Sequence, residues 1–86
     1  NETFEQEFNN CFNKFLELIN SIKNWEYDVI NSEIKDFLKK NNLKFPIIGK
    51  PVRFLLTNNY NGPSITDIFV ILGKDQSIER LKKYKV

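Results

Sequence analysis

The sequence predicts an all-α fold, a small bundle of about five helices in a single domain. Three observations predict it. Apolar residues recur at steps of three and four, first in Phe4, Phe8, Cys11, Phe15, Leu18/Ile19 and Ile22. Helix-start and helix-stop residues punctuate these runs: Thr3 with Gln6, Asn24, Ser64 with Asp67, and Gly73. One stretch alone, Val52–Leu56, could alternate as a strand, and no second candidate strand exists to pair with it. The 86 residues form one domain, 1–86, whose Phe, Ile, Leu and Val supply a real but modest core.

Taken in order, Thr3-Phe4-Glu5-Gln6 has the form of a capping box and opens an amphipathic helix over about 4–23. Phe12 and Leu16 widen its apolar stripe, as expected for a helix packed on more than one neighbour. The phenylalanine row is read as core because its spacing is helical. Asn24 is placed to cap a second helix, and Trp25 falls at the junction as a wedge between helices. Tyr27, Ile30, Ile34 and Phe37/Leu38 keep the helical period to about Lys40, and Asn41-Asn42 ends it. From Leu43 to Ser64 the chain is punctuated by Pro46, Gly49 and Pro51. Here periodicity does not decide: as a helix, Ile48, Val52, Leu55 and Leu56 share a face, with Pro51 tolerated in the first turn. Ser64-Ile65-Thr66-Asp67 is a second capping-box form, followed by Ile65, Ile68, Phe69 and Leu72 on one face and Gly73 as C-cap. Ser77–Leu81 belongs to a last short helix.

Composition excludes several classes of chemistry. The chain has one cysteine and no histidine, so it has no internal disulfide, no zinc site of the usual kind, and no Ser–His or Cys–His catalysis. Cys11 sits among Phe8, Phe12 and Phe15, where it reads as a small buried hydrophobe in a reducing compartment. The carboxylate pairs Glu2/Glu5 and Glu33/Asp36 read as solvated helix faces. No catalytic residue, metal site or phosphate-cradling glycine loop is assigned. No apolar run approaches a membrane span, and the acidic, Phe-rich start lacks the basic region of a signal peptide, so a cytoplasmic protein is expected. Asparagine is heavily used and alanine absent, which reads as compositional bias. Charge is uneven: residues 1–42 carry five lysines against eight acids, net −3, and residues 43–86 carry eight Lys/Arg against three acids, net +5. A basic C-terminal half suits a phosphate backbone.

Gly49–Gly73 organises the chain. Arg53 is the lone arginine in the apolar run PVRFLL, and the polar turn TNNYNGPS follows it. Two packed segments would hold a rigid Gly-Pro turn and a fixed guanidinium on one rim, which suits reading a planar group. The stretch PVRFLLTNNYNGPSITDIFVILGKDQSIERL resembles the C-terminal anticodon-binding region of bacterial-type glutamyl-tRNA synthetases. That family shows a P-L-R-x-A-L-T-G-like run, a Gly/Ser-Pro turn, an L-G-K segment and a Glu-Arg-Leu/Ile helix. Trp25 resembles the family's tryptophan opening a helix, so the resemblance runs from about Leu16 to Tyr84. Asn58 stands where glycine is common, and Gly62 where a hydroxyl residue is common.

The resemblance implies a helix from about 50 to 58. It implies that Arg53 reads an anticodon base, since arginine offers five N–H donors in a fixed fork. It further implies that Gly62, Pro63, Ser64, Ile65 and Thr66 grip the anticodon, with Pro63 and Ile65 as contact surface and Ser64 presenting free helix N–H groups. Lys50 and Lys74, flanking the same region, are candidate phosphate contacts. The implied partner is a glutamate-accepting tRNA, with no membrane. The ATP-binding HIGH and KMSKS motifs are absent and are expected upstream, so the implied fragment carries no cofactor and no catalytic residue. ATP, with magnesium, would serve the parent enzyme, expected to be a monomeric glutamate–tRNA ligase of translation. For Arg53 the structural alternative is an ion pair with a carboxylate such as Asp67. For the chain as a whole it is a helical protein-docking module without an RNA role.

Overall fold

The computed structural model describes residues 2–84, with side chains from residue 5 onward. Five helices follow one another: α1 (Glu2–Ser21), α2 (Tyr27–Lys40), α3 (Phe45–Thr57), α4 (Ile65–Leu72) and α5 (Lys74–Leu81). There is no strand among the described residues, so Val52–Leu56 is helical. The Thr3 side-chain cap lies outside the described residues.

Helix α1 is the spine. Its Phe8, Cys11, Phe12, Phe15, Ile19 and Ile22 are all buried, which is what their three-and-four spacing requires. Against them pack α2, α3 and α5, while α4 closes the bundle on α2, α3 and α5. Ile30 and Ile34 of α2, Ile48, Val52 and Leu56 of α3, Phe69 of α4 and Leu81 of α5 complete one continuous core. The Phe15 and Phe37 rings meet edge to face at 5.5 Å. Cys11 donates to the Phe8 carbonyl, and burial pushes its thiol pKa up. It behaves as a core residue.

Two helix starts differ from the expectation, each for a tertiary reason. Asn24 does not cap α2; Glu26 occupies the N-cap position without a side-chain bond, and the helix starts at Tyr27. The intervening turn is drawn aside by Trp25, whose indole N–H donates to the Phe69 carbonyl at 2.9 Å. Its ring stands edge-on against Phe69, so Trp25 wedges the α1–α2 corner against α4. Helix α3 starts at Phe45, not near residue 50, and Pro51 therefore lies in its interior. Pro46 in the first turn favours this start because its φ is already helical. Gly49 favours it too: a Cβ there would lie 2.3 Å from the Phe45 ring, which rests across the helix at that point. Pro51 has no N–H, so the Ile47 carbonyl lacks its helical donor.

Other ends follow the local chemistry. The Asn41 side chain donates to the Phe37 carbonyl at the end of α2. Asn58 closes α3 in the left-handed conformation, φ 60°. Ser64 caps α4: its Oγ accepts from the Asp67 backbone N–H at 3.2 Å and donates to the Asp67 carboxylate at 2.9 Å. Gly73, φ 83°, ends α4 and starts α5 at once. Arg80 donates to the Leu56 carbonyl and Tyr84 to the Asn9 side chain, tying α5 and its tail to α3 and α1.

Candidate functional site

The last turn of α3, the loop 58–64 and the first turn of α4 form one rim of the bundle. Arg53 faces that rim because Ile48, Val52 and Leu56 take the opposite, buried face of α3. Its Nε donates to the Pro63 carbonyl at 3.1 Å and its Nη1 to the Tyr60 carbonyl at 3.3 Å. The guanidinium therefore holds the loop at two points. Of its five N–H donors, three have no protein acceptor among the described residues. The expected alternative, an ion pair with Asp67, does not form; Asp67 accepts from Ser64 instead.

The loop is fixed from within as well. Asn59 Oδ1 accepts from the Asn61 backbone N–H at 2.9 Å, an Asx turn, and the Thr57 hydroxyl donates back to the Arg53 carbonyl at 2.8 Å. Gly62 has φ 132°, a conformation that side chains rarely adopt, and nothing would touch a Cβ there. Gly62, Pro63 and Ser64 are all exposed. Arg53 and this turn thus come together as expected.

The rest of the expected set divides. Ile65 is 1% exposed and Thr66 3%, so neither side chain is contact surface. Ile65 belongs to the core, and Thr66 donates to the Asn31 side chain at 3.1 Å, fastening α4 to α2. The reason is geometric: the first turn of a short helix sitting on two neighbours turns part of its circumference inward. Only the backbone N–H groups of Ile65 and Thr66 remain open, since Ser64 satisfies Asp67 and the Ser64 carbonyl takes Ile68. Lys50 is exposed on α3, one turn before Arg53. Lys74 is not a companion to it. Its Nζ donates to the Ile22 carbonyl at 2.6 Å, just beyond the C-terminus of α1, where a cation is favoured. It also stands at the far end of α4, about 12 Å from Ser64 along an eight-residue helix.

Two residues at the rim escaped the sequence reading. Phe54 and Tyr60 stack on each other, centroids 4.7 Å apart and planes 21° apart, and remain 38% and 58% exposed. The available signal was an aromatic off the Ile48–Val52–Leu56 face, followed by a second aromatic inside a polar turn. Among the described residues no group of three or more His, Cys, Asp or Glu could hold a metal ion, and no helix is long and apolar enough to cross a membrane.

Comparison with known proteins agrees with this geometry. The chain is 40% identical over 68 residues to glutamate–tRNA ligase 2 of Wolbachia pipientis subsp. Culex pipiens (strain wPip), covering 79% of this chain and 15% of that one. It is 38% identical over 72 residues to glutamate–tRNA ligase 1 of Aliarcobacter butzleri (strain RM4018), covering 81% and 15%. It is 34% identical over 58 residues to the glutamate–tRNA ligase of Nitrosomonas europaea, covering 67% and 12%. The chain thus spans only 12–15% of the length of these relatives. No solved structure matches it. A family profile described as anticodon binding domain matches residues 1–85, nearly the whole chain, and on that match this protein belongs to the anticodon binding domain family.

Proposed function

We propose that this chain reads the anticodon of a glutamate-accepting tRNA, as the anticodon-binding part of a glutamate–tRNA ligase. The observation that carries the reading is Arg53, anchored through two of its N–H groups to the Pro63 and Tyr60 carbonyls. A guanidinium already held in place loses little freedom when its other donors meet a base. Unpaired loop bases offer their Watson–Crick edges, where pyrimidine carbonyls and ring nitrogens accept such donors. The exposed Gly62-Pro63-Ser64 turn supplies the surface beside it, and the open Ile65 and Thr66 backbone N–H groups supply further donors. Lys50 contributes a phosphate contact that positions the RNA without reading sequence. The whole ligase would join glutamate to tRNA with ATP and magnesium in a part outside this chain, as a monomer in the cytoplasm.

The test is a set of RNA hairpins varied one anticodon base at a time and titrated against the chain. Arg53→Ala should erase about 1–3 kcal/mol of discrimination at one base. Arg53→Lys should restore little of it, because one ammonium does not reproduce the fork. An equal loss for every hairpin would mark Arg53 as a phosphate contact and refute base reading.

A further inference from the structure

The Phe54–Tyr60 pair lies outside every role assigned above. Its rings line a surface groove of about 500 Å³ together with Lys50, Pro51, Leu55 and Tyr84. Glu5 is the one carboxylate on its walls. Four features describe what would fit. The lining is mostly flat and apolar, with two rings already parallel at 4.7 Å. Lys50 sits on the wall as the cation. Tyr60 is tethered through its carbonyl to Arg53, so stack and guanidinium move as one body. The two rings stay half-open to solvent, although the core nearby had room to bury other phenylalanines completely.

A flat group with a neutral π face and an attached phosphate satisfies all four. We infer that the Phe54–Tyr60 stack is a base-stacking platform, on which a single-stranded nucleotide next to the base read by Arg53 lays its ring, with Lys50 on its phosphate. The inference rests on the RNA-binding reading above and deepens it. Aromatic side chains serve single strands in this way because every base has a π face, so the contact adds affinity with little sequence preference. Arg53 then selects and the platform holds. Glu5 favours a base over a bare anion here: it repels free phosphate and accepts from the amino or imino N–H of a base.

Titration of the chain with an RNA hairpin carrying an all-pyrimidine loop triplet tests this, followed by fluorescence anisotropy and NMR. Phe54→Ala and Tyr60→Leu should each weaken binding by about 5- to 150-fold with the salt dependence unchanged, and Tyr60→Phe should bind like the parent chain. In the parent complex the ring protons of one loop base should move upfield through the aromatic ring current. With that nucleotide made abasic, Phe54→Ala should cost nothing more. Both aromatic variants are surface changes, and a circular dichroism melt verifies that each is folded. If they bind as the parent chain does, or no base proton shifts upfield, the platform is wrong. Arg53→Ala losing base discrimination in the same series would then leave anticodon reading standing. Failure of the unmodified chain to bind any hairpin overturns both.

Discussion

Ile65 separates two accounts of the Gly-Pro turn. As contact surface for RNA it would be dispensable for folding. As the buried first residue of α4 it is part of the core, 1% exposed. Ile65→Ala removes three carbons, worth about 2.4 kcal/mol at about 0.8 kcal/mol per buried methylene. The space left under the turn adds to this, and such substitutions in cores cost about 2–5 kcal/mol. Alanine's better helix propensity returns only a few tenths of a kcal/mol. A domain of this size holds about 4–13 kcal/mol in total, so the loss is a large share of it. Urea unfolding followed by circular dichroism reads it directly. With a slope of about 1 kcal/mol/M, a loss of 3 kcal/mol lowers the midpoint by about 3 M. Ile65→Val, expected at about 0.5–1.5 kcal/mol, keeps the measurement in range if the alanine variant does not fold. A midpoint shift below about 0.5 kcal/mol for Ile65→Ala, with RNA affinity reduced, would refute the core assignment.

Three further outcomes are expected. Trp25→Phe should cost about 1–2 kcal/mol in the same unfolding assay, since it removes one hydrogen bond and part of a ring. The loss stays small because the Phe69 carbonyl keeps the Gly73 N–H as a donor; a loss above about 4 kcal/mol would show that Trp25 carries more than this wedge. Cys11 is protonated in the folded chain with its pKa raised by burial, so its contribution is fully present below the unfolded thiol pKa, about 8.5, and is lost as pH rises above it. Cys11→Ala should flatten that alkaline decline in a series of melts, and an unchanged decline would assign it elsewhere. Lys50→Ala should reduce the salt slope of RNA binding by about 0.7–0.9, whereas Lys74→Ala should leave the slope alone and lower stability; the reverse result would reverse their assignments.

Five helices were legible because each carries enough apolar residues to reveal its period: Phe8, Cys11, Phe15 and Ile19 need no partner to be seen as a stripe. Ends set by neighbours in sequence were legible too, as with Ser64 and Asp67. The starts of α2 and α3 were not. The first answers to an indole bond across 44 residues, and the second to the fit of the Phe45 ring over Gly49. The site divides in the same way. Arg53 stood out as the only cation in an apolar run. The inward turn of Ile65 and Thr66 depends on where α2 lies, and the Lys74 partner is 52 residues upstream. Phe54 and Tyr60 meet only once the loop has closed on Arg53.

Gly73 has a consequence for how this chain can vary in length. One residue ends α4 and begins α5, so the joint has no slack. A single residue inserted there would rotate α5 by about 100° about its axis and advance it by about 1.5 Å. Ile78 and Leu81 would swing out of the core, and Arg80 would lose the Leu56 carbonyl. The exposed tip of loop 58–64, between the anchors at Tyr60 and Pro63, has no such constraint on what lies outside it. Insertions and deletions among related chains should therefore gather at that tip, and natural length variation would reshape the RNA-facing rim while the corner opposite stays one residue long.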